Sequence, residues 1–177
     1  MKKVLKEVIS TLIYLGVVFL LTFLFITFVM QRTEVSGSSM VPTLHDKDSL
    51  LIEKVSYRFK QADRFDIIIF PYKYGNDEFF IKRVIGLPGE TVRIDDQGNI
   101  FINDVLLNES YGAEVILDPG RAYEGVTLGD DEYFVMGDNR NHSMDSRDPS
   151  VGNIKQKDIL GRAFVRIYPF SDFGGVK

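Results

Sequence analysis

The chain contains no cysteine, which excludes disulfides, thiol catalysis and cysteine-ligated metal sites without fixing a compartment. Its two histidines, His45 and His142, lie in different sequence contexts, so a histidine-based zinc centre is not expected. There is no dense basic patch, and the formal net charge of -4 gives no reason to expect a nucleic-acid partner. Internal repeats, low-complexity tracts and long amphipathic helices are also missing. What remains is 177 residues, 45% hydrophobic and 26% charged. That suits one folded domain with a core, or one domain plus an anchor.

Charge is absent from residues 8–30, V-I-S-T-L-I-Y-L-G-V-V-F-L-L-T-F-L-F-I-T-F-V-M. The length matches the roughly 20 residues a membrane-spanning helix needs. Lys2, Lys3 and Lys6 precede the run, and Arg32 follows it among polar residues that include Glu34. The positive-inside rule then places residues 1–7 in the cytoplasm, 8–30 in the bilayer and 31–177 on the extracytoplasmic side. The expectation is a single-pass protein of the cell membrane. Val35-Ser36-Gly37 is a weak cleavage-site pattern, but the apolar run exceeds the about 7–15 residues of a signal-peptide core, which favours an uncleaved anchor. Ser39 follows Met30 by nine residues, a reach of at most about 30 Å. Chemistry at Ser39 would therefore take place close to the outer membrane surface.

Beyond the anchor the pattern shifts to short β-rich runs. Residues 49–55, 64–70, 79–85, 133–136 and 163–168 read as strands, and 91–95 with 100–103 flank D-D-Q-G-N as a hairpin. Many short strands with glycine and proline turns predict a mainly β fold, an all-β sandwich or barrel-like domain behind the helix. Residues 111–129 are the least regular stretch and read as a surface loop.

Three stretches carry candidate chemistry. Residues 36–44, S-G-S-S-M-V-P-T-L, pack three hydroxyls and a glycine ahead of an apolar pair. A serine there needs a nearby base to act as a nucleophile. In F-F-I-K-R-V-I, alternation places Phe80, Lys82 and Val84 on one face and Ile81, Arg83 and Ile85 on the other. Arginine does not deprotonate in proteins, whereas a desolvated lysine can. Lys82 is thus the cation of this strand that can become a base. The rival reading is an edge strand whose charges discourage aggregation. The third stretch is M-G-D-N-R-N-H-S-M-D-S-R at 136–147. Asp145 and Arg147 can form an ion pair there, and Ser143 and Ser146 can orient a neighbour. His142 also permits a Ser39-His142-Asp145 triad.

Together these stretches resemble the bacterial type I signal peptidases, in particular the short single-anchor Gram-positive form. The matching segments are S-G-S-S-M-V-P-T-L at 36–44, R-F-D-I-I-I-F at 64–70, F-I-K-R-V-I-G-L-P-G-E at 80–90, G-D-N-R-N-H-S-M-D-S-R at 137–147 and G-R-A-F-V-R-I-Y-P at 161–169. The resemblance implies a serine endopeptidase that removes signal peptides from secretory preproteins through an acyl-enzyme, with no metal or cofactor. It implies Ser39 as nucleophile, Lys82 as general base and Ser143 as the group orienting the lysine. Asp145 and Arg147 become a structural pair beside the site, and Asp138, Asn139 and Arg140 shape the loop. Gly37 stands where some members carry a serine whose hydroxyl helps form the oxyanion hole. The Ser39 N–H is then one donor, with the backbone or the hydroxyl of Ser38 or Ser36 as the second. Met40, Val41 and Ile81 are the candidate substrate-pocket residues. Two other readings are a cytoplasmic self-cleaving repressor with a Ser-Lys site, which the anchor disfavours, and an inactive anchored binding module.

Overall fold

The computed structural model describes residues 2–75 and 78–176. Met1, from the expected cytoplasmic segment, and Asn76, Asp77 and Lys177, from the expected β-rich domain, lie outside the described residues.

The apolar run forms helix α1 (Lys2–Phe28). Its large apolar side chains, Phe19, Leu12 and Tyr14 among them, are exposed. By length and composition it is able to cross a membrane. The helix stops two residues before the apolar run does. Met30 already belongs to strand β1 (Met30–Glu34), which pairs with β2 (Ser49–Glu53) from Met30↔Glu53 to Glu34↔Ser49. Nothing in M-Q-R-T-E alternates as a half-buried strand should. Backbone pairing to β2 holds it, and its polar side chains suit an edge position.

The chain continues through β3 (Ile67–Pro71), β4 (Phe79–Gly86), β5 (Thr91–Ile94), β6 (Ile100–Ile102), β7 (Val105–Leu106), β8 (Val126–Thr127), β9 (Glu132–Met136), β10 (Ile154–Lys155), β11 (Gly161–Tyr168) and β12 (Gly174–Gly175). A large sheet runs in the order β1-β2-β11-β3-β4-β9-β10 with β12 on β11, and a small sheet runs β7-β6-β5-β8. The domain is mainly β, as the strand pattern predicts. The expected loop at 111–129 is more ordered than its sequence suggests. Val126 pairs with Val92, and Ile116, Ala122 and Leu128 are buried in the core between the sheets.

Three apolar cores position the site. One lies on β3, β4 and β9, with Ile68, Phe70, Val84 and Val135. A second joins Ile85, Phe134 and Met136 of the large sheet to Val92, Ile94, Ile100 and Ile102 of the small one. The third gathers Val35, Met40 and Leu44 onto Leu50, Ile52, Ile67 and Ile69. Met40 and Leu44 are almost fully buried, each worth about 1.5–3 kcal/mol. They pin the serine-rich turn to the sheet. Strand β4 lies between β3 and β9, with β9 pairing from Arg83 onward, and neither cation faces solvent as an edge charge would. Lys82 and Arg83 are both buried.

Candidate active site

Ser39 sits in a turn closed by hydrogen bonds from the Val41 N–H to the Ser38 carbonyl (3.1 Å) and from the Leu44 N–H to the Met40 carbonyl (2.9 Å). Gly37 enters the turn at φ +91°, a region that favours glycine. Its N–H donates to Asp46 Oδ1 at 2.8 Å. Gly37, at the candidate oxyanion position, therefore has its N–H committed to Asp46 and does not offer it to the cleft. Among the described residues none accepts a hydrogen bond from the Ser39 N–H. Ser36 and Ser38 are exposed and line the same cleft as Ser39.

Lys82 Nζ donates to Ser39 Oγ at 2.8 Å and to the Ile81 carbonyl at 3.1 Å, and it lies 4.9 Å from the centre of the Phe80 ring. Only 4% of the residue is exposed. Desolvation lowers its pKa from 10.5 to about 8, against the opposing pull of the Asp145 and Asp138 carboxylates. Once the amine is neutral, the same 2.8 Å contact lets the serine hydroxyl donate to nitrogen instead.

The loop 136–147 clamps the serine turn. Asn139 donates through its N–H to the Ser39 carbonyl (3.0 Å) and through Nδ2 to the Ser38 carbonyl (3.1 Å). Gly137 makes the approach possible. A Cβ there would lie 2.4 Å from the Ser39 carbonyl oxygen and 2.3 Å from Ser143 Oγ. Asp138 is fully buried and accepts from Arg83 Nε (2.8 Å) and Nη2 (2.7 Å). It also accepts from the Thr43 hydroxyl at 2.5 Å, which ties the turn to the loop and to β4. Arg140 bonds the Gly137 carbonyl (3.0 Å) and Glu109 (2.7 Å).

Asp145 holds Arg147 through two 2.9 Å contacts and receives the Gly137 N–H at 3.0 Å. The pair expected from sequence is present. His142 is exposed and lines the cleft, but among the described residues no hydrogen bond joins it to Ser39 or Asp145. The triad does not form, because Arg147 and the loop backbone occupy the aspartate. Ser143 Oγ is buried and has no hydrogen-bond partner among the described residues. In this structure it does not hold Lys82, whose second contact is the Ile81 carbonyl.

Ser39 and Lys82 open into a cleft of about 520 Å³. Met40 and Ile81, both expected in a substrate pocket, line it together with Val35 and Ile69. Val41 does not, because the Val41-to-Ser38 bond turns the chain away. Thr33 and Glu34 from β1 also line the cleft, as do Phe79, Phe80 and Met144. Sequence reasoning missed the β1 residues, since their strand has no apolar signature. Along β4, Val84 trades bonds with Asp66 and Phe65 on the β3 side. By alternation Ile81 and Arg83 turn their backbone groups to the other edge. β9 covers that edge only from Arg83 onward, so among the described residues no strand pairs with it beside Ile81, whose carbonyl receives Lys82 Nζ. Among the described residues no group of three or more His, Cys, Asp or Glu side chains is placed to hold a metal ion.

The family model for signal peptidase, peptidase S26, matches residues 5–168. The chain belongs to the signal peptidase family. It is 42% identical over 153 residues to a probable signal peptidase I-2 of Synechocystis sp., covering 84% of this chain and 67% of that protein. It is 34% identical over 182 residues to signal peptidase I U of Bacillus subtilis, covering 97% and 95% of the two chains. A solved signal peptidase I from Enterococcus faecalis is 38% identical, with a TM-score of 0.48, over 58% of this chain and 97% of that one. Membership in the family supports a peptidase that removes signal peptides.

Proposed function

We propose that the protein is a membrane-anchored serine endopeptidase that cuts signal peptides from secretory preproteins with a Ser39-Lys82 dyad. The observation that carries this is the 2.8 Å contact between Ser39 Oγ and a buried lysine whose pKa is lowered to about 8. Neutral Lys82 accepts the Ser39 proton as Oγ attacks the scissile carbonyl. The developing oxyanion is received by the Ser39 N–H, with the hydroxyl of Ser36 or Ser38 as second donor. Collapse of the tetrahedral intermediate breaks the C–N bond, and the lysine ammonium returns its proton to the leaving amine. Water then deacylates the serine ester, with Lys82 again as base. No step calls for a metal or cofactor.

The substrate adds as an extended strand along the open edge of β4. Its small side chains fit against Met40, Ile81, Val35 and Ile69, which line the cleft. Helix α1 is the anchor. Lys3 and Lys6 at its start favour a cytoplasmic N-terminus and an extracytoplasmic domain. Asp138, Asn139, Arg140, Asp145 and Arg147 position the turn and loop, and Ser143 is packed beside them.

The deciding experiment is cleavage of a purified preprotein by the full-length protein in detergent. Ser39→Ala is expected to lose activity, while His142→Ala retains most of it. Equal cleavage by Ser39→Ala would remove the assignment. A second expectation concerns the close approach at Gly137. Gly137→Ala drives a methyl group into the Ser39 carbonyl and Ser143. A shift of about 1 Å at the nucleophile costs on the order of 100-fold in rate. Undiminished single-turnover cleavage would show that the turn tolerates the displacement.

A further inference from the structure

Helix α1 and strand β1 are separated by Val29 alone, and the junction is hydrogen-bonded on all sides. The Val29 N–H continues the helix to the Phe25 carbonyl at 2.9 Å, and the Val29 carbonyl accepts the Lys54 N–H at 3.0 Å. Lys54 Nζ donates to the Thr27 carbonyl at 3.0 Å and to Gln31 Oε1 at 3.2 Å. The last turn of a helix leaves carbonyls without intrahelical donors and carries partial negative charge. α1 has no basic residue of its own in that turn. Lys54, at the end of β2, supplies the cation and two of the missing donors. β1 then pairs with β2 along its whole length, and its far end, Thr33 and Glu34, lines the cleft that holds Ser39. No flexible tether intervenes between the helix and the cleft.

We propose that β1, fastened to α1 by Lys54, is a ruler. It holds the cleft at a fixed distance from the end of the helix, about 17 Å for five strand residues. It thereby selects how far from its apolar segment a preprotein can be cut, with Lys54 as the positioning residue. The inference rests on the anchored signal-peptide-cleaving function proposed above. A loosely tethered domain would sample many heights and accept many spacings. A domain continuous with its helix should accept few.

The test uses the full-length protein in lipid vesicles with preproteins whose spacer between apolar segment and scissile bond grows one residue at a time. The wild type is expected to show a sharp optimum. A flexible Gly-Ser insertion of about six residues between Val29 and Met30 should move the optimum to longer spacers and flatten it several-fold. Lys54→Met should flatten it without moving the thermal midpoint of the domain. In detergent, all three proteins should cleave a short soluble peptide at the same rate, a readout that general damage to the fold would change. Identical spacer profiles for wild type, insertion and Lys54→Met in vesicles would overturn the ruler. Absence of wild-type cleavage in both settings would remove the underlying peptidase reading and the ruler with it.

Discussion

Replacing Lys82 with methionine is expected to abolish cleavage and yet leave the protein at least as stable below pH 8. The lysine is 4% exposed, and its contacts are neutral: a hydroxyl, a carbonyl and a ring. Methionine has a similar reach and no charge to desolvate, so it fits where an ammonium is costly. The pKa gives the sign. In the unfolded chain Lys82 titrates near 10.5 and in the folded chain at about 8. Below the lower value both states hold the proton, and folding bears the full cost of burying the charge, about 3 kcal/mol. Between the two values the folded state gives up its proton while the unfolded state keeps it, so stability rises with pH. Lys82→Met should lack this rise, which denaturant midpoints at neutral and alkaline pH would reveal. Activity follows the same group. If neutral Lys82 is the base, kcat/KM falls about tenfold per pH unit below about 8. A wild-type profile flat well into acid, or residual cleavage by Lys82→Met at the wild-type rate, would sink the general-base role.

The features legible in the sequence share one property: their signal is local. The uncharged run became α1, and I-I-I-F and F-F-I-K-R-V-I became β3 and β4, because apolar period and turn residues lie within a few positions of each other. Strand β1 escaped notice because M-Q-R-T-E is held by pairing with β2 and has no apolar face. Burial of Lys82 and Arg83 was hidden for a related reason. Charges in a strand look like an edge until distant segments cover them: β9 and Asp138 cover Arg83, and the Ser39 turn meets Lys82. Within the site, the residue types were readable and their directions were not. Asp46 capturing the Gly37 N–H, and Thr43 joining Asp138, are contacts that spacing alone does not specify. Ser143 is similar. Its place beside the turn follows from Gly137, but the orientation of its hydroxyl depends on packing that no motif encodes.

Asp138→Ala should be the most damaging single substitution to the fold. Arg83 and Asp138 have side chains with no exposure, and the carboxylate accepts from two guanidinium nitrogens and from Thr43. Its removal leaves a buried cation without its carboxylate, although the Phe65 carbonyl and Tyr111 ring still contact the guanidinium. Breaking one side of a buried pair costs about 3–5 kcal/mol, a large share of the about 5–15 kcal/mol that stabilises a typical domain. A double variant, Arg83→Met with Asp138→Leu, should recover much of that stability, because it removes both charges and keeps volume in the core. Urea midpoints of the three proteins would check this. A loss under about 1 kcal/mol for Asp138→Ala would refute the clamp. The folded fraction of Asp138→Ala carries a second signature. Asp138 is one of the two carboxylates that oppose the desolvation of Lys82, so without it the lysine should titrate lower still. The acid limb of the activity profile should then move to lower pH. A purely structural role would reduce the amplitude of that profile and leave the limb in place.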